Sequence, residues 1–332
     1  MRFALRKTLP TLGVLFLFVF VADCLAGQIS ASFGVPLVGY VLDVDAHSIR
    51  PITGIPGSSH IADPLKLGFP VASVDFLPDE RHAVVDSPEF PSILVVDLAA
   101  ISHSVIAGAP SSVSAMRTSF DGTKAALYYA SGDRLVIVSG LPNAPVIQSS
   151  IDLSSKPPLT RFAVSNDGAT VLLSFRGDET DDLFRWTRSG GLSLLTTRSR
   201  IADILFVGDD AVFADSTSKD VVLLQNIREQ ISQTVIVDGS DEAFQPLVLS
   251  LSSRNEIYIG TPDSVFVVDG SNYNLRKLSC NCNLTTITRM HDAAFRLTDE
   301  LHQPVIILDA RSSPERILFV PALSVDTLEV LP

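Results

Sequence analysis

Residues 92–131 decide the fold: Ser92-Ile93-Leu94-Val95-Val96-Asp97, then Val105-Ile106-Ala107, then Ser119-Phe120-Asp121-Gly122, then Ala125-Ala126-Leu127-Tyr128. Short apolar runs alternate with polar turns, and no 3.6-residue period is present. Asp121-Gly122 between two apolar runs is the strongest short-range hairpin signal. Working outward, the same turn recurs as Ser165-Asn166-Asp167-Gly168 before Val171–Phe175, and as Leu77-Pro78-Asp79-Glu80 before His82–Val85. Looser copies are Val207-Gly208-Asp209-Asp210, Ser253-Arg254-Asn255 and Met290-His291-Asp292, each ahead of an apolar strand. An apolar strand ending in Asp also repeats, as Val41-Leu42-Asp43, Val95-Val96-Asp97, Val267-Val268-Asp269 and Ile307-Leu308-Asp309. The mean step is about 44 residues, the length of one four-stranded propeller blade.

The chain therefore reads as all-β, a single β-propeller over residues 27–332. Each unit supplies four strands of about four to seven residues, and neighbouring blades bury the two apolar faces that one blade would expose. Six units run from Val71 to about Pro321. An extra pair, Leu37–Val44 and Ile49–Thr53, precedes them without inner strands of its own, and Leu323–Leu331 is available to supply at least one. Seven blades, the last closed by both chain ends, is the expected count; six and eight stay open because the end units are the least regular.

The start of the chain predicts export. Arg2, Arg6 and Lys7 precede the apolar run Leu12–Ala22, which ends at Asp23-Cys24-Leu25-Ala26-Gly27. This is the layout of a signal peptide over residues 1–26, and the run is too short to span a bilayer. Acylation of Cys24 is disfavoured by Asp23, since a lipoprotein site takes a small uncharged residue there. The mature chain is expected in a periplasm or outside the cell, with no membrane span.

Charge narrows the partners. The chain carries a net −12, and about −14 once the leader is gone. Such a surface repels phosphate backbones and argues against nucleic acid. Cys280-Asn281-Cys282 offers a local disulfide or two thiols in a surface loop. On a regular strand these positions lie about 6.6 Å apart, too far to bond without a tight turn. With His291 as a distant third ligand they would make only an incomplete zinc site.

Together, the strand ending Val-Val-Asp, the apolar strand after it and the Ser-x-Asp-Gly turn resemble the YVTN/lactonase-type propeller repeats of exported bacterial proteins. The resemblance covers Leu37 to Pro321, with short motifs shared with other WD40-like propellers; the Gly-His and Trp-Asp pairs of WD40 repeats themselves are absent. It implies a propeller, and in the lactonase branch a sugar-lactone hydrolase. No matching catalytic constellation accompanies it.

In such a disc, the loops between second and third strands and those between blades share one face. Three segments are expected there. The first is Gly54–Pro70, with His60 and Asp63. The second is Gly177–Asp182, where Asp178, Glu179, Asp181 and Asp182 form a solvated acidic turn or a weak calcium site. The third holds Asp238, Asp241 and Glu242. The six histidines are scattered, and neither a Gly-x-Ser-x-Gly elbow nor a phosphate loop occurs. The sequence thus favours a non-catalytic propeller that binds a protein or a glycan, over a lactonase-like hydrolase or a lyase.

Overall fold

A computed structural model describes residues 36–323 except 56, 240–243, 281 and 292. The chain forms a seven-bladed propeller of antiparallel sheets. The first blade holds β1 (Leu37–Asp43), β2 (Ser48–Ile55) and β3 (Ser58–Ile61). Six four-stranded blades follow, β4–β7 (73–110), β8–β11 (115–152), β12–β15 (159–198), β16–β19 (201–237), β20–β23 (248–279) and β24–β27 (288–320). One turn of 3-10 helix, Ala130–Gly132, interrupts this pattern.

The apolar runs are unbroken because both faces of each inner strand are covered. In β9 (Lys124–Tyr129), Ala125, Leu127 and Tyr129 pack toward the preceding blade, whereas Ala126 and Tyr128 pack toward the following one. The core is accordingly seven separate hydrophobic clusters, each shared by two neighbouring blades, and the cluster joining β24–β27 to β1–β2 closes the ring. Non-directional burial at about 25 cal/mol per Å² acts at every interface alike, so no single blade carries the fold.

The recurring turn has a common mechanism. Ser119 Oγ donates to Asp121 Oδ1 (2.7 Å) and accepts from Lys124 N (3.0 Å), while Gly122 takes the left-handed φ of +73°. Ser165, Asp167 and Gly168 repeat these bonds. The strand-ending Asp residues make a second recurring turn, in which Asp97 accepts from Ala99 N and Ala100 N.

The first blade corrects one expectation. The Asp ending groups Leu37–Val44 with strands such as Ser92–Asp97 and Ser264–Asp269, each the third of its blade. His47 O, in the β1–β2 turn, accepts from Val71 N, next to where β4 (Ser73–Phe76) begins. β1 therefore runs toward that face, the direction of the second strands elsewhere, and it packs against β4 and β24 (Thr288–His291), the first strands of the flanking blades. Among the described residues no strand lies inside β1; apart from Leu323, the segment expected to supply one lies outside the described residues, as does the expected signal peptide. The segment 54–70 is also not a free loop. After β3 it lies along β2, with Ala62 N on Pro51 O and Leu65 N on Ile49 O.

Among the described residues no helix is long and apolar enough to cross a membrane. Cys280 and Cys282 are bonded, their Cα atoms 5.0 Å apart. Contrary to a surface loop, both are buried, in the cluster that also holds Tyr258, Leu284 and Phe295.

Candidate functional site

The first strands of the blades line a central channel, and several carry a single charged residue in an apolar context: Asp75 on β4, Arg117 on β8 (Ala115–Thr118), Arg161 on β12 (Leu159–Val164) and Asp203 on β16 (Ile201–Val207). An apolar inner strand tolerates such a residue only where it can reach water or a partner. Here the channel supplies both.

Arg117 crosses the channel. Its Nη2 donates to Asp203 Oδ1 at 2.8 Å, joining two blades that are not neighbours. The Arg117 side chain stays 41% accessible inside the ring, because it faces the channel, whereas Asp203 is 2% accessible. Asp203 is fully engaged: Oδ1 also accepts from Ile204 N (2.9 Å) and Oδ2 from Leu249 N (2.9 Å). Asp75 Oδ2 accepts from Thr118 N at 2.7 Å. Burial pushes its carboxyl above the ordinary range, against the opposing pull of the Thr118 N–H and the Arg117 charge. The neighbouring carboxylates, Asp203 foremost and then Asp75, raise the pKa of the Arg117 guanidinium, although its own burial acts against them.

This crossbar separates two cavities. The one on the face of the blade-to-blade connections has a volume of about 270 Å³ and is lined by Ala115, Arg117, Thr160, Arg161, Asp203 and Thr285 among others. The other, about 290 Å³, opens toward the Ser-x-Asp-Gly turns. It is crossed in turn by Arg289, which lies 4.2 Å from the centroid of the Phe120 ring and donates to Phe120 O (2.8 Å). A third cavity of about 370 Å³ lies beside β1, bounded by Leu42, Val74, Asp75, Arg296 and Asp299.

The loop residues singled out from sequence do not converge. His60 sits on β3, exposed, its Nε2 3.2 Å from Thr53 Oγ1. Asp63 is exposed on the run that follows. Asp178 and Glu179 are exposed in the hairpin between β13 (Thr170–Arg176) and β14 (Asp181–Thr187), but Asp181 is wholly buried and accepts from Ile201 N (2.9 Å), tying its blade to the next. Asp182 accepts from Thr197 Oγ1 at 2.6 Å. Asp238 is exposed just after β19 (Ser232–Val237), and Asp241 and Glu242 lie outside the described residues. Among the described residues no three His, Cys, Asp or Glu side chains are placed to hold a metal ion. The channel residues escaped a reading focused on loops; their signal is the lone charge within a short apolar first strand.

No family model and no curated protein matches the chain. Solved structures do. A functionally unknown protein from Desulfotomaculum acetoxidans superposes with a TM-score of 0.59 at 15% identity, over 87% of this chain and all of that one. PorZ, a surface component of the type-IX secretion system of Porphyromonas gingivalis, gives 0.59 at 12% identity, over 87% of this chain and 39% of PorZ. Virginiamycin B lyase from Staphylococcus aureus gives 0.54 at 11% identity, over 78% of this chain and 86% of the lyase. At such identities the likeness establishes the fold.

Proposed function

We propose that the protein is a binding propeller whose small polar ligand docks in the central channel, in the cavity on the blade-connection face. The observation that carries this reading is the Arg117–Asp203 crossbar, which gives that cavity a floor of charged groups at the bottom of a ring of short strands. Convergent polar groups in a concave site are the usual mark of a ligand pocket, and its volume falls near the lower end of the usual range, about 300 Å³. The polar groups there are tied into the fold, which suits recognition better than turnover.

A second reading, a propeller hydrolase or lyase, is favoured by Asp75. It is a carboxyl with a raised pKa beside a guanidinium, in a channel where charged residues of several blades meet. Among the described residues no histidine borders either channel cavity to exchange a proton with it.

The protein is proposed to work outside the cytoplasm. The basic start and apolar run of residues 1–26 support this as a leader-like sequence, and the Cys280–Cys282 bond suits an oxidising compartment. A YVTN-type ancestry is proposed on the repeat alone.

The test is a thermal-shift screen of small metabolites against the native protein and Thr285→Trp. Thr285 is exposed and lines the cavity, so the indole fills the mouth without entering a core cluster. Ligands that stabilise the native protein and not the variant support the site. Ligands that stabilise both equally place binding elsewhere.

A further inference from the structure

Arg161, on β12, lines the channel beside Arg117. Its Nε donates to Ala202 O (2.5 Å) and its Nη1 to Thr160 O (2.8 Å), bonds that orient the planar guanidinium against the channel wall. Among the described residues no carboxylate lies within ion-pairing distance of it, and Nη2 has no protein partner. Arg117, on the neighbouring blade, uses only Nη2, on Asp203; its Nε and Nη1 have no protein partner among the described residues. Both side chains line the same cavity, with Thr160, Thr285 and Thr286 around them.

The charges of that lining are two guanidiniums and one carboxylate, a net +1 in a chain of net −12. Two half-satisfied guanidiniums lining one cavity leave N–H donors free for an oxyanion, the charge-assisted partner an arginine binds most strongly. One negative charge neutralises the lining. A second would sit unbalanced beside Asp203, with Asp75 behind Arg117.

We propose that the cavity on the blade-connection face is a carboxylate site, in which Arg161 and Arg117 bind the carboxylate of a small monoanionic molecule and the threonine hydroxyls meet its polar remainder. This rests on the channel reading above and adds the chemical class of the ligand. The single net positive charge of the lining favours a monoanionic carboxylate over a doubly charged phosphate. The site lies on the edge strands of a closed ring, so it is formed before the ligand arrives, which limits the ordering cost of binding.

The experiment reads the arginine Nε–H resonances of the full-length protein by NMR during titration with sodium acetate, acetamide and inorganic phosphate at constant ionic strength. Acetate should move the Arg161 and Arg117 signals in a saturable way, at a concentration about tenfold or more below that needed for phosphate. In Arg161→Met, which breaks no ion pair, the Arg117 response to acetate should weaken by a similar factor. The proposal is overturned if acetate gives no saturable shift, if phosphate acts at equal or lower concentration, or if Arg161→Met responds like the native protein. Should acetamide move the signals as well as acetate does, the cavity still binds and only the carboxylate assignment fails.

Discussion

Replacing Arg117 with Met removes the crossbar while keeping most of the side-chain volume. Asp203 would be left 2% accessible with two backbone donors in place of three partners. Breaking a fully buried ion pair from one side costs about 3–5 kcal/mol, and an exposed pair is worth about 0.2–1 kcal/mol. Arg117 lies between these limits, because 41% of its side chain meets channel water. A charge-assisted hydrogen bond of about 1.5–3 kcal/mol is the appropriate scale. We expect a loss of about 2 kcal/mol, which lowers the melting midpoint by roughly 4 °C in a chain of this size. Urea unfolding followed through the single tryptophan, Trp186, buried between two blades, measures it. The midpoint should fall with an unchanged slope, and a cycle with Asp203→Asn should show a coupling of about 1 kcal/mol or more. A loss below about 0.5 kcal/mol, with no coupling, would show that the pair behaves as a surface contact and would refute the crossbar as a structural floor.

Three further outcomes follow from the same contacts. Asp75 has a folded pKa above its unfolded one, so the folded state holds more protons and stability falls as pH rises from the unfolded value through the raised one. Asp75→Asn keeps an oxygen for Thr118 N and should remove that slope; an unchanged pH profile would sink the assignment. At Gly122, φ is +73° and an added Cβ would lie 2.5 Å from Pro78 Cδ, whereas Gly208, φ +62°, has open space. Gly122→Ala should therefore cost more than the roughly 1–2 kcal/mol of left-handed strain expected for Gly208→Ala, as read by chemical denaturation; equal losses would count against the close approach. Truncation after Leu323 tests closure: if residues 324–332 supply the strand inside β1, the shortened chain should melt at least several degrees lower and expose β1 to hydrogen exchange, and an unaltered melt would exclude them.

The blade count was legible because it rests on short-range chemistry. Ser-x-Asp-Gly closes the same bonds at 119–122 and 165–168, and apolar runs such as 125–129 are covered on both sides, so each repeat announces itself. The place of β1 was not legible. An Asp at a strand end makes a turn equally well on either face, and only the His47–Val71 bond gives the direction. The site was missed for a related reason. Turn chemistry scatters acids over both faces and drew attention to Asp178 and Asp181, the second of which is a buried link between blades. Arg117 and Asp203 stand 86 positions apart, and only ring closure brings them together across the channel.

The proposed ligand site lies on the connection face of the channel, above Arg117 and Asp203. The most direct measurement is calorimetric titration of the strongest ligand from the screen into the native protein and into Thr285→Trp, with unfolding curves confirming that both are folded. Binding to the native protein should be saturable and one-site, with affinity at least about tenfold weaker in the variant. Equal affinity for the two proteins would contradict that placement.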